Sequence, residues 1–321
     1  MKIALVCSHG GHLTELMYLA QAFEGANIII ISYDNPRTRA IESKKYLFPN
    51  MGENLFEIIK NIPKMFSILL NEKPDIIISN GAELAIPFFY IAKLLRIKSV
   101  FIESYTRIDQ PTITGRLVYP VSNLFLVLWP EMLRVYGNRA KYWGGLFITL
   151  PFNTYIINGK KGGILVFTGM HSVGFYRLIK KMDEIANTMD EEVTVQIGHS
   201  DYIPHYCNFF TFKGYDEIQK MIEQSRIVIC QGAMTVIDSL MLGAPVIAVP
   251  RLKIYNEVIN DHQLVFSKKL EELGLTIVIE NIEDLDEVIS QKQLIQSKRI
   301  AVNNNLVAQL KDWIVTYAFN R

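Results

Sequence analysis

MKIALVCSHGGH (Met1–His12) opens the chain with an apolar run at Ile3–Cys7, a pair of glycines and a histidine where a helical pattern begins. A short β-branched run closed by a glycine turn and followed by a helix is the repeating unit of a parallel α/β sheet. The same order returns in ILVFTGMHS (Ile164–Ser172) and IVICQGAMTVID (Ile227–Asp238). Between these lie further strand candidates at Ile28–Ser32, Ile76–Ser79, Ser99–Ile102 and Leu124–Leu128, then at Val193–Ile197, Phe209–Phe212 and Val246–Val249. Helical stretches begin near His12, Leu55 and Ala82. Two successive programmes of this kind predict an α/β protein of two Rossmann-like domains, with parallel sheets facing an interdomain cleft. The polar, glycine-containing stretch Pro151–Gly163 (PFNTYIINGKKGG) marks the boundary, giving domains 1–152 and 153–321. The last helix, Leu306–Phe319, is expected to pack back on the first domain.

Composition narrows the function. The chain has 321 residues, 33 Lys+Arg against 32 Asp+Glu and a formal net charge of +1. Hydrophobic residues reach 50% and charged ones only 20%, with mean hydropathy +0.17, so disorder is excluded. The missing basic excess argues against a nucleic-acid binder. Three scattered cysteines, Cys7, Cys207 and Cys230, form neither a disulfide framework nor a paired metal motif, which fits a reducing compartment. His199, His205 and Cys207 lack recognised ligand spacing, so no metal site is expected. No charge-free run is long enough to span a bilayer, about 18 residues or more. Leu84–Leu95 and Leu117–Trp129 are greasy enough to be either buried core or membrane-facing, with Lys93, Arg96 and Lys98 beside them.

In open parallel sheets ligands bind outside the carboxyl ends of the strands. Ser8-His9-Gly10-Gly11-His12 occupies such an end. Gly10 and Gly11 let a ligand approach the main chain, the helix start presents free N–H groups, and His12 can take a proton from an incoming hydroxyl. A glycine turn with an incidental surface histidine is the plainer alternative. In Gln231–Asp238, Gly232, Ala233, Met234 and Thr235 form a turn and helix start suited to a diphosphate, with Asp238 one turn on to meet ribose; a helix cap at Thr235 would explain the same spacing. Asn260-Asp261-His262-Gln263 could bind sugar hydroxyls or simply cap a helix. Thr168-Gly169-Met170-His171-Ser172 is a weaker phosphate loop. Glu103 ends a strand and Arg107 follows it, either as site residues or as an ordinary ion pair.

These loops together resemble MurG-like inverting glycosyltransferases of the GT-B fold. Ser8–His12, Gly81-Ala82-Glu83, Ile102-Glu103-Ser104, Thr114–Pro120 and Tyr142-Trp143-Gly144-Gly145 resemble the membrane-associated acceptor half of two-part UDP-sugar transferases. The second half is similar to their donor-binding subunit, so the chain looks like the two fused. The resemblance implies His12 as base, with Glu103 the next candidate; Gly10, Gly11 and Arg107 on the acceptor; and Gly169, Gly232, Ala233, Met234, Thr235, Asp238, His262 and Gln263 on the donor. The pattern departs from the family at Asp238, where Glu is usual, at Cys230, where the two-part enzymes carry His, and at Met234, where those carry Gly. What it implies is transfer of GlcNAc from UDP-GlcNAc to a polyprenyl or dolichyl diphosphate-linked sugar, by a β-1,4 linkage, in N-glycan or surface polysaccharide synthesis. The partners expected are the UDP-sugar, the lipid-linked acceptor and a membrane surface, with no nucleic acid and no obligatory cofactor or metal. The protein would lie peripherally on the cytoplasmic face of the cell membrane, with exposed apolar and basic residues gathered in the first domain around Asn61–Leu70, Leu84–Lys98 or Leu117–Trp129. A UDP-sugar 2-epimerase of the same architecture, or a silent nucleotide-sugar-binding platform, are the alternatives.

Overall fold

The computed structural model describes residues 1–52, 54–150, 162–170, 173–291 and 298–319. The chain divides into two compact units, one of Met1–Phe147 with Val302–Arg321, the other of Ile148–Ala301. Of the boundary stretch Pro151–Gly163, all but the last two residues lie outside the described residues.

The first unit is built on seven strands, β1 (Lys2–Val6), β2 (Asn27–Tyr33), β3 (Lys44–Phe48), β4 (Ile76–Ser79), β5 (Lys98–Ile102), β6 (Leu124–Val127) and β7 (Ala140–Tyr142). They are ordered β3-β2-β1-β4-β5-β6-β7 and all pair in parallel. The helices are α1 (Gly11–Tyr18), α2 (Pro36–Arg39), α3 (Leu55–Glu72), α4 (Ala85–Leu94), α5 (Ile113–Val118) and α6 (Met132–Tyr136). The central strands are continuous Ile, Leu and Val runs because helices cover both faces; Leu5 pairs with Ile30 on one side and Ile78 on the other, and all three are buried. At one edge, β3 reads Lys44-Lys45-Tyr46-Leu47-Phe48, an edge strand that escapes an apolar-run search. Its lysines blunt the open edge, and Lys44 pairs with the buried Glu72 of α3.

The second unit repeats the plan with β9 (Ile164–Phe167), α7 (Tyr176–Ala186), β10 (Val193–Gln196), β11 (Asn208–Phe210), α8 (Tyr215–Gln224), β12 (Ile227–Cys230), α9 (Met234–Met241), β13 (Val246–Ala248), α10 (His262–Glu272), β14 (Ile277–Val278) and α11 (Leu285–Ser290), after β8 (Phe147–Thr149). Its sheet order is β11-β10-β9-β12-β13-β14, again wholly parallel. One face of the sheet buries Val166, Val195, Ile229 and Ile247 beneath Phe175, Leu178 and Met182 of the α7 region. Finally β15 (Ile300–Val302) pairs with β8, and α12 (Asn304–Phe319) returns to the first unit, where Lys311 reaches Glu24.

Both sheets reverse their strand order beside the first strand of the unit, between β1 and β4 and between β9 and β12. Such switch points open a crevice at the carboxyl ends of the strands.

Candidate active site

In the first unit the loop Ser8–Gly10 leaves β1 and α1 begins at Gly11. Its N-cap, Gly10, has no capping side chain, so the first N–H groups of the helix are unclaimed by side chains. The space beside the Gly10 Cα is open, and Gly11 is exposed. His12 is pinned from two directions. Asn80, at the end of β4, donates through Nδ2 to the His12 carbonyl at 2.8 Å. Beneath the ring lies Gly81, with φ +141°, where an added Cβ would stand 2.5 Å from His12 Cε1. Only glycine therefore fits under this imidazole. His12 Nδ1 is fully buried without a partner, while the residue as a whole is half-buried. Burial first, then the charge of Arg107, lowers the His12 pKa from 6.5 to about 4, so the ring is neutral at pH 7.

Two further cations border this crevice. Arg37 donates to the Gly10 carbonyl at 3.4 Å. Arg107 sits at the end of a turn whose N–H donates to the Ser104 carbonyl at 3.0 Å. It is half-buried, and burial lowers its pKa while Glu103 raises it, yet it makes no direct ion pair among the described residues. Tyr33, at the end of β2, hydrogen-bonds Glu83 in the loop after β4. Because β2 and β4 flank β1, that bond joins the two sides of the crevice.

Glu103 is placed differently from the sequence expectation. It is 1% exposed and accepts hydrogen bonds from the Ser104 N–H at 3.0 Å, the Thr112 hydroxyl at 3.0 Å and Tyr136. Its carboxyl anchors Thr112, the N-cap of α5, and has no face left for substrate. This corrects its assignment as the reserve base. Burial is not visible in the short motif Ile102-Glu103-Ser104.

In the second unit the crevice is lined by glycines and amides. Gly169, with φ +80°, follows β9, and an added Cβ would collide with the side chain of Gln231 after β12. Gly232 (φ +77°) is equally constrained by Ser267 of α10. Gly169, Gly232 and the start of α10 thus meet in one place. The N-cap of α9 is Ala233, which has no capping side chain. Thr235 is therefore inside the first turn, and the alternative reading of it as a helix cap does not hold. Met234 is buried at 7% exposure, whereas Thr235 and Asp238 are half-buried on the same helix. At α10, His262 Nδ1 lies 2.6 Å from Asn260 Oδ1, and Gln263 Oε1 accepts from the Arg251 N–H at 3.3 Å. His171 and Ser172 lie outside the described residues.

Arg251 belongs to none of the glycine-rich motifs. It is 1% exposed, donates to the carbonyls of Thr168 at 2.9 Å and Gly174 at 3.2 Å, and stacks on Phe175. It therefore ties the Gly169 loop to the Gln263 helix. The available signal was an arginine placed two residues past an apolar strand, in Val249-Pro250-Arg251. Burial pushes the thiols of Cys7, Cys207 and Cys230 up to about 12, which makes them poor nucleophiles. Among the described residues no cluster of three His, Cys, Asp or Glu could hold a metal ion.

Both halves of the chain match known protein families. Residues 36–146 match the family described as oligosaccharide biosynthesis protein Alg14 like, and residues 163–315 match the glycosyltransferase family 28 C-terminal domain. The UDP-N-acetylglucosamine transferase subunit ALG14 of Mus musculus is 23% identical over 171 residues, spanning 42% of this chain and 79% of that protein. The UDP-N-acetylglucosamine--N-acetylmuramyl-(pentapeptide) pyrophosphoryl-undecaprenol N-acetylglucosamine transferase of Clostridium novyi is 24% identical over 322 residues, spanning 91% of this chain and 87% of that one. Among solved structures, MurG of Acinetobacter baumannii aligns at TM-score 0.62 and 14% identity, covering 97% of this chain and 94% of that one. A UDP-GlcNAc 2-epimerase of Methanocaldococcus jannaschii, in complex with UDP-GlcNAc and UDP, aligns at TM-score 0.68 and 14% identity, covering 99% and 100%. At such identities the two structures show a shared fold.

Proposed function

We propose, from the premise that this chain is a MurG-like glycosyltransferase of the GT-B fold with its acceptor and donor halves fused, that it moves GlcNAc from UDP-GlcNAc to a lipid diphosphate-linked sugar. The observation that carries this reading is the succession, in one polypeptide, of an Alg14-like segment and a family 28 C-terminal domain. In the proposed step the acceptor hydroxyl oxygen bonds to the sugar anomeric carbon while the bond from that carbon to the diphosphate breaks. The configuration inverts, the hydroxyl proton passes to His12 Nε2, and UDP leaves with the bonding electrons. The unclaimed N–H groups at the start of α9, with the Thr235 hydroxyl, take up charge on the departing diphosphate, so that no divalent metal is required. Asp238 serves the ribose, and His262 and Gln263 serve the donor sugar, with Gly169 and Gly232 giving the ligand access to the main chain. Gly10, Gly11 and Arg107 hold the acceptor diphosphate beside His12.

The acceptor implies a membrane surface. Among the described residues no helix is long and apolar enough to cross a bilayer. Leu55 (68%), Phe56 (73%) and Ile59 (54%) are exposed on the first turns of α3, Leu94 on α4, and Ile113 and Leu117 on α5, with Lys60, Lys64, Lys93 and Arg116 beside them. α3 packs on α4 and α4 on α5, so these greasy and basic residues belong to one helix layer of the first unit, whose composition suits an anionic lipid surface. This is also where two expectations shift. Within Leu117–Trp129 the run from Leu124 onward is buried as β6, and the second unit exposes apolar residues too, at Ile203, Tyr206, Phe209 and Phe212.

The test is incubation of purified protein with a panel of UDP-sugars, with and without synthetic lipid diphosphate-GlcNAc, read by mass spectrometry. Acceptor-dependent UDP release and a product heavier by one N-acetylhexosamine are expected. Conversion of UDP-GlcNAc alone would indicate the epimerase, and binding without turnover on any acceptor would indicate a silent platform.

A further inference from the structure

Glu15 is a carboxylate that the proposed chemistry does not use. It lies one turn beyond His12 on α1 and is 2% exposed. Its Oε1 accepts from the Ser104 hydroxyl at 2.8 Å, and its Oε2 from Asn80 Nδ2 at 3.0 Å and the Tyr105 N–H at 3.3 Å. No Lys or Arg pairs with it among the described residues. Burial pushes its pKa up to about 7, against the pull of these hydrogen bonds. An apolar residue would pack the inner face of α1 at lower cost, since buried charges are often replaceable by hydrophobic groups without loss of stability. The carboxylate must therefore be retained for what it connects.

Those connections lead to both halves of the acceptor site. Asn80 uses the same Nδ2 to hold the His12 carbonyl. Ser104 and Tyr105 begin the turn that ends at Arg107, and Tyr105 is itself fixed by the Trp129 indole N–H at 2.6 Å. One side chain on α1 thus registers the end of β4 against the end of β5, with the base on one side and the acceptor cation on the other. We propose that Glu15 is a positioning residue that sets the spacing between His12 and the Arg107 turn, and so the distance from acceptor hydroxyl to acceptor diphosphate. The role rests on the reading of His12 as base and Arg107 as acceptor contact.

The test compares wild type with Glu15→Gln, whose amide oxygen can still accept from Asn80 and Tyr105 but whose NH₂ must face the Ser104 hydroxyl, already shared with Thr106, and Glu15→Leu, which keeps packing alone. Both should bind UDP-GlcNAc as wild type does by calorimetry. Acceptor KM should rise and kcat fall, together by about tenfold to a hundredfold, as small misplacements of reacting groups do. A variant that merely lost stability would show fewer active molecules at unchanged acceptor KM. Carbethoxylation of His12 by diethyl pyrocarbonate, followed by mass spectrometry, should quicken several-fold in the variants as the α1 turn loosens. Steady-state constants within about twofold of wild type together with unchanged His12 labelling overturn the proposal. If Glu15→Leu does not fold, Glu15→Gln decides. If wild type transfers no sugar to any acceptor, the transfer reading has failed by itself, and the labelling rate still decides whether Glu15 holds His12.

Discussion

The two switch points are built alike and equipped oppositely. In the first unit the loop after the first strand delivers a side chain, His12, and the loop after β4 supplies the glycine, Gly81, on which it rests. In the second unit the roles reverse, with Gly169 after β9 lying against Gln231 after β12. One crevice therefore holds an imidazole at its floor and the other a neutral amide. An amide cannot accept a proton at neutral pH, whereas an imidazole can, so on the proposed reading proton transfer falls to the first unit and donor recognition to the second. The electrostatics follow the same division. Arg37 and Arg107 border the first crevice, while in the second the buried Arg251 donates to main-chain carbonyls and holds the walls together.

The strongest way to break this comparison is to remove the imidazole. His12→Ala should lower kcat by about 10²–10⁴, the usual worth of general-base assistance, with UDP-GlcNAc affinity unchanged by calorimetry. Gln231→Ala should do the reverse, weakening donor binding with little change in kcat at saturation. Full turnover in His12→Ala would move the base elsewhere, and Glu83, bonded to Tyr33 at the rim of the same crevice, would be next in line.

The paired glycines give a second, smaller contrast. Gly81→Ala places a methyl group against the His12 ring and should cost about a hundredfold in kcat through displacement of the base. Gly169→Ala pushes instead on Gln231 and should raise donor KM by about tenfold while sparing single-turnover chemistry at saturation. If both substitutions moved the same kinetic constant, the division of labour between the two crevices would be wrong.

What the sequence revealed follows the same physics. Ile76–Ser79, Ile164–Phe167 and Ile227–Cys230 were legible to the residue because strands covered on both faces must be apolar throughout. The edge strand β3 was not, because an edge calls for Lys44 and Lys45 rather than another isoleucine run. Glycine loops at strand ends were legible as access to the main chain. Glu15 and Arg251 were invisible, since each acquires its meaning from partners 65 to 90 and 12 to 83 residues distant. Glu103 was misread for the same reason, its partners Thr112 and Tyr136 becoming neighbours only after folding.

The outer surfaces offer a third contrast. If the layer of α3, α4 and α5 meets the lipid, Phe56→Ser with Ile59→Ser should weaken sedimentation with anionic vesicles by about a hundredfold or more, because each side chain forfeits about 1.5–3 kcal/mol of apolar burial. Turnover on a short-chain, water-soluble acceptor should be unaffected. The exposed pair Tyr206 and Phe209, changed to Ser in the second unit, should leave vesicle binding as it was. Equal losses from the two faces would remove the reason for assigning the membrane to the first unit.

The smallest effect is a titration. His12 takes its proton near 4 rather than 6.5 because burial, then the Arg107 charge, disfavours the imidazolium. Its C2 proton followed by NMR should therefore shift near pH 4 in the free protein, and Arg107→Gln, which removes one of the two causes, should move that midpoint upward. An anionic acceptor diphosphate placed against Arg107 should act in the same direction, keeping the base weak until substrate arrives and strengthening it afterwards. The linkage to stability has a definite sign. Between about pH 4 and 6.5 the unfolded chain binds more protons at this histidine than the folded one, so the fold weakens as pH falls through that window. His12→Gln should accordingly lose less melting temperature than wild type between pH 7 and pH 4.5. A His12 midpoint at the ordinary 6.5, unmoved by Arg107→Gln, would mean that the ring stands in solvent, and the contrast with the buried amide Gln231 would fall with it.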